Sequence, residues 1–152
     1  MQIYIDADAC PVKDEVYRVA QRYNLKVTLV ANSWIKIPDN PMISFELVKA
    51  GADAADDWIV DKVEADDVVI TADIPLAGRC LEKRARVLGT TGKPFTHDNI
   101  NDALATRELL AELRESGEIT GGPAPHAKKD KSRFLQKLDE IINAPAEDLD
   151  WY

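Results

Sequence analysis

Residues 67–73, Asp-Val-Val-Ile-Thr-Ala-Asp, carry an uninterrupted run of β-branched and aliphatic side chains between two aspartates. A strand with no polar alternation is buried on both faces, as in a parallel sheet with helices on either side. The flanking sequence has the elements such a sheet needs. Residues 3–6 (IYID), 26–31 (KVTLVA) and 43–48 (ISFELV) read as strands, and 87–96 as a short strand, a Gly-containing turn and an extended piece. Between them lie helical patterns. The first begins at Pro11, whose missing N–H is not needed in a first turn, and runs to about Tyr23 with Val12, Val16, Val19, Ala20 and Tyr23 on one face. Others span 51–63, capped near Asp53, 74–85, 97–117, ending at Gly117, and 129–144. Strands alternating with helices predict a three-layer α/β sandwich with a mostly parallel sheet, Rossmann-like, with extra C-terminal helices.

A chain of 152 residues is expected to form one domain with a sizeable core, and residues 145–152 read as a tail. No apolar run approaches a membrane span, and nothing at the start resembles a signal peptide. Cys10 and Cys80 make neither a disulfide framework nor a CxxC pair, so a cytoplasmic protein is expected. A formal net charge of −8 argues against non-specific wrapping of nucleic acid. It leaves open an enzyme that meets phosphates through divalent cations. The basic clusters at 83–86 and 128–133 read as solvated faces.

Ligands of open α/β sheets bind beyond the carboxyl ends of the strands, where strand order reverses. Two strands end in aspartate there: the first at Asp6, continuing to Asp8, and the fourth at Asp73. Asp6 and Asp8 are two residues apart, so an extended backbone points them the same way. The helix between brings Asp53, Asp56 and Asp57 near its N-terminus. If the two strands are neighbours, the carboxylates crowd one edge and resist joint ionisation unless a cation is bound. Oxygen ligands of this kind suit Mg²⁺ or Mn²⁺. Structural readings stand beside these: Asp53 with Asp56 as a capping box, Asp73 as a helix cap, Asp57 on a solvated face.

The segments IDADACP, GADAADDWIV, VVITADIPLA and TGGP, in this order, resemble the bacterial YaiI/YqxD family along the chain to about residue 140. That family looks related to PIN-like domains, whose known members are often metal-dependent ribonucleases. The resemblance implies a PIN-like fold and an acidic site made by Asp6, Asp56 and Asp73, with Asp8 as a fourth member. One departure is Ile-Pro-Leu after Asp73, where many PIN-like nucleases carry a further acid; it counts against a two-metal site.

The expected function is hydrolysis of RNA phosphodiesters with Mg²⁺ or Mn²⁺. Asp6, Asp56 and Asp73 act as direct or water-mediated ligands, and Asp8 as a ligand or as the base that positions water. The loop Thr120-Gly121-Gly122-Pro123 offers an anion nest, with Lys128, Lys129 or Arg133 nearby; its other reading is a turn joining two helices. Arg107 reaches a carboxylate or phosphate, or runs out to solvent. Asn32 partners the acidic edge or makes a turn. Cys10 sits at a helix start that would favour its thiolate, or is a small half-buried cap. Trp34 and Trp58 stack a base or pack locally. Two rival functions remain: a non-catalytic domain binding nucleotide, RNA or protein on a relict metal site, and a phosphatase of haloacid-dehalogenase type, whose strand-end DxD resembles DADAC and would make Asp6 a nucleophile.

Overall fold

The computed structural model describes residues 1–8, 10–49, 51, 53–117 and 126–146, with six strands and five helices among them. In chain order these are β1 (Ile3–Asp6), α1 (Lys13–Arg22), β2 (Val27–Ala31), β3 (Ile43–Leu47), α2 (Ala54–Lys62), β4 (Val68–Ile70), α3 (Ile74–Glu82), β5 (Arg86–Leu88), β6 (Pro94–Phe95), α4 (His97–Glu115) and α5 (Lys128–Asn143). The strands form one sheet in the order β3-β2-β1-β4-β5-β6, all parallel except β6 against β5. The expected three-layer α/β architecture with a mostly parallel sheet is what the structure shows. Residues 120–122 and the tail from 147 on lie outside the described residues.

The chain starts at the middle of the sheet, lays β2 and β3 to one side, then crosses β1 to lay β4, β5 and β6 on the other. That reversal changes which face each crossover covers, because crossovers keep one hand. One face holds α1 and α5, with Val16, Val19, Phe134, Leu138 and Ile141 packed on Ile3, Ile5, Leu29 and Ile70. The opposite face holds α2, α3 and the start of α4, with Ile59, Leu76, Leu81 and Ile100 packed against Tyr4, Val30, Val69 and Val87. The β2–β3 crossover has no helix. Residues 32–42 run across the α1 face, and Ile35 and Ile37 are half-buried there.

Three local departures from the sequence expectation have clear causes. The first helix begins at Lys13 rather than Pro11: residues 10–12 form a turn, and Val12 is the cap position without a side-chain bond. Asp53 occupies the cap position of α2 but makes no side-chain cap bond, so the capping box with Asp56 is not formed. The basic stretch 83–86 is not wholly a solvated face. Arg86 is buried in β5, and its Nη1 donates to the carbonyls of Ile141 and Ala144 at 2.7 Å, closing the C-terminus of α5. The opposite end of α5 lies against the turn after β5, where Gly92 has φ +88 and an added Cβ would sit 2.9 Å from the backbone of Arg133.

Candidate acidic site at the sheet edge

Along β1 the side chains alternate, with Ile3 and Ile5 facing α1 and Tyr4 facing α2. The same alternation sends Asp6 toward the α2–α3 face. In register Ile5 pairs with Ile70, so the next residues, Asp6 and Thr71, stand side by side where both strands end. Thr71 is 1% exposed; its hydroxyl donates to Asp6 Oδ2 at 2.8 Å and accepts from the Asp73 backbone N–H at 2.9 Å. Asp73 is the N-cap of α3, its Oδ1 accepting from Leu76 N–H at 3.0 Å. Asp56 lies in the first turn of α2. The ends of β1 and β4 and the first turn of α2 thus each contribute a carboxylate at the point where strand order reverses.

Electrostatics record the convergence. Asp6 is held above the usual carboxylate range by burial first, then by the charges of Asp73 and Asp8, against the opposing Thr71 hydrogen bond. Asp56 is pushed up to about 6 by burial, then by Asp73, Asp6 and Asp53, with Arg79 opposing. A helix N-terminus ordinarily favours a carboxylate, so the rise at Asp56 reflects the acidic neighbours and the loss of water.

Asp8 is arranged differently from expectation. The chain turns at this residue, so the extended geometry that would align it with Asp6 does not persist. Its two oxygens accept from Asn32 N–H at 2.9 and 3.1 Å, and Oδ1 also accepts from the Ser33 hydroxyl at 3.3 Å. Asn32 therefore meets the acidic edge through its backbone. Asp57 is exposed and pairs with Arg79 at 2.8 Å. Cys10 is buried and its thiol is raised by that burial, as suits the small buried residue of the two readings rather than the thiolate, although the cap position itself falls to Val12. Trp58 packs edge-on against Tyr4, with ring centroids 6.2 Å apart, and is no stacking platform.

Beside Asp73 opens a cavity of about 650 Å³ between the β4–α3 junction, β6 and α4. Lys93, Arg107 and Arg114 line it together with Phe95, Asn99 and Asp102. Arg107 thus lies in the same hollow as Asp73. Lys128 and Arg133 are on α5, on the other side of the sheet; Arg133 pairs with Asp130 at 3.6 Å. Thr120, Gly121 and Gly122 fall outside the described residues, as does any contact they make.

Sequence reasoning missed Thr71, the residue that physically joins Asp6 to Asp73. The available signal was a hydroxyl at the end of a run otherwise buried on both faces, where a polar group needs a partner.

Among the described residues no group of three or more His, Cys, Asp or Glu is close enough to hold a metal ion. The donor chemistry still suits a hard cation. Asp6, Asp56 and Asp73 are oxygen donors, the charge of Asp73 raises the pKa of both Asp6 and Asp56, and Thr71 engages only one oxygen of Asp6. Such a set fits a hydrated Mg²⁺ or Mn²⁺ held through one or two carboxylates and its own waters, not a closed cage. Among the described residues no helix is long and apolar enough to cross a membrane.

Fold and edge together define a doubly wound α/β protein with carboxylates at its switch point. Sequence comparison narrows this to a family. A profile described as "Uncharacterized BCR, YaiI/YqxD family" matches residues 4–144. The chain belongs to the YaiI/YqxD family. It is 57% identical over 142 residues to a UPF0178 protein of Paramagnetospirillum magneticum, covering 93% of this chain and 94% of that one. A UPF0178 protein of Rhodospirillum rubrum is 52% identical over 145 residues, covering 95% and 97%. One from Rhodopseudomonas palustris strain TIE-1 is 52% identical over 141 residues, covering 93% and 89%. No solved structure matches the chain.

Proposed function

We propose that this protein is a PIN-like, divalent-cation-dependent phosphodiesterase acting on RNA, with Asp6, Asp56 and Asp73 as its acidic centre. One observation carries the reading: carboxylates from three separated segments lie toward the sheet's switch point, where the charge of Asp73 raises the pKa of both Asp6 and Asp56, beside a cavity bearing Lys93, Arg107 and Arg114. Carboxylates alone would repel a phosphodiester. A bound Mg²⁺ or Mn²⁺ would reverse that repulsion and lower the pKa of a water. The chain's own residues do the rest. Thr71 orients Asp6 and fixes the start of α3, so that Asp73 is placed by its helix cap rather than by a flexible rotamer. Asp8 holds the loop after β2 at the edge, which makes it a positioning residue first. Lys93, Arg107 and Arg114 form no salt bridge among the described residues, which leaves their charge for substrate phosphates.

The test uses purified protein and single-stranded RNA. Cleavage with Mn²⁺, its abolition by EDTA, and its loss in Asp6→Asn and Asp73→Asn are expected. Intact RNA after prolonged incubation with Mn²⁺ would refute the activity. A second reading, a non-catalytic binding domain on a relict metal site, is favoured by the lack, among the described residues, of three acids grouped so as to hold a metal ion. Mn²⁺ binding without any cleavage selects it.

A further inference from the structure

We propose that Trp34 and Lys36 form a binding platform for single-stranded nucleic acid, on the flank of the acidic edge opposite the Arg107 cavity. Along residues 34–37, after β2, burial alternates. Ile35 and Ile37 are half-buried against the core, which turns Trp34 and Lys36 outward. Trp34 is 72% exposed, the most exposed large hydrophobic side chain among the described residues. Local packing does not account for an indole left in water, since the anchoring is done by the two isoleucines. On an extended backbone, positions two apart are roughly 7 Å from each other on one face. That pairs a flat ring for a base with a cation for the adjoining phosphate, the combination by which sequence-tolerant single-strand binders work. A hollow of about 320 Å³ beside it, between this segment and α1, adds Lys13 and Tyr17, with Asp14 as its one acid.

Position argues for the same occupant. Asn32 and Ser33, just before Trp34, hold Asp8, so the platform adjoins the acidic edge. The Arg107 cavity runs from Asp73, after β4, to Phe95 of β6, two to four strands from β2 in the sheet order. Two to four strand spacings are about 10–19 Å. A ligand that touches both flanks and passes the carboxylates between them is a strand of several nucleotides, not a mononucleotide. The choice of nucleic acid rests on the phosphodiesterase reading above; the contact itself does not need turnover.

The experiment measures binding of a fluorescently end-labelled, cleavage-resistant 2′-O-methyl RNA strand, about ten nucleotides long, by anisotropy with Mn²⁺ at low salt, with the full-length chain. The acidic edge is identical in every Trp34 and Lys36 variant, so differences isolate the platform. Trp34→Ala is expected to weaken binding about tenfold, and Trp34→Phe to retain most of the affinity. Lys36→Gln is expected to reduce the slope of log affinity against log salt by about 0.7. Unchanged affinity in Trp34→Ala, or no RNA binding by the wild type, overturns the proposal. So does loss of self-association or of a protein contact in Trp34→Ala with RNA affinity intact. In parallel, hydrolysis of bis(p-nitrophenyl) phosphate with Mn²⁺ reports on the acidic centre alone and is expected to be equal in wild type and Trp34→Ala. If that hydrolysis is absent while Trp34→Ala still weakens RNA binding, the phosphodiesterase reading falls and the platform stands. If hydrolysis is present and RNA affinity is unchanged in Trp34→Ala, the platform falls and the phosphodiesterase reading stands.

Discussion

At the scale of single residues, the acidic edge of the metal-free protein works against folding. Asp56 titrates at about 6 in the folded chain against an ordinary 3.8, so between these values the folded state holds more protons than the unfolded one. The contribution of Asp56 to the stability of the metal-free protein therefore falls as pH rises through this window and is least above it. Asp56→Asn is expected to flatten the fall, raising the melting temperature in EDTA at pH 8 and leaving it nearly unchanged at pH 4. The gain is modest, because Asp56 is only partly buried and solvent screens its neighbours. Thermal melts of both proteins at the two pH values check this, and a variant less stable at pH 8 would contradict it. The placement of Asp6, Asp56 and Asp73 at strand ends and a helix start was legible in the sequence, because the elements themselves follow from the apolar pattern. Thr71 was not, because a threonine in a β-branched run reads as a strand former. Asp8 was misaligned because the two-residue rule holds only while the backbone stays extended, and here it turns.

Helices and strands were legible wherever a face was apolar. The pattern of Phe134, Leu138 and Ile141 identifies α5, and the buried residues of α1 and α3 do the same for theirs. Element ends were harder, since they depend on partners distant in sequence. The C-terminus of α5 is closed by Arg86, 55 residues away from Ile141, and no local signal announces that. Arg86 also pairs with Asp66 at 3.2 Å, and Asp66 is partly exposed. Replacing Arg86 by methionine keeps the length but leaves the carbonyls of Ile141 and Ala144 without their donor. The expected cost is about 3 kcal/mol, from losing hydrogen bonds to a charged group. For a chain of this size that lowers the melting temperature by roughly 6–12 °C. Amide exchange in the last turn of α5 should accelerate with it. A melt within a degree of wild type would mean that solvent or another donor takes over the helix end.

Across the whole molecule, strand order decides whether distant acids meet. Sequence reading could state the condition, that the first and fourth strands be neighbours, but not establish it. Strand adjacency is set by the summed packing of both faces rather than by any local pattern. Had β4 been added beyond β3, Asp6 and Asp73 would stand three strand spacings apart, about 14 Å, instead of one. The order β3-β2-β1-β4 removes that separation and concentrates negative charge at the switch point. A fold that concentrates charge in this way is a sensor of whatever neutralises it. Saturation with Mn²⁺ at about a hundred times its dissociation constant should add about 2.7 kcal/mol to stability, visible as a rise in melting temperature of roughly 5–11 °C. Asp6→Asn should start from a higher metal-free melting temperature, since one repelling charge is gone, and gain little from Mn²⁺. The two changes oppose each other, so the wild-type and variant curves should converge or cross as Mn²⁺ increases. Parallel curves, with equal gains in both proteins, would place the ion elsewhere and leave the acidic edge without its proposed role.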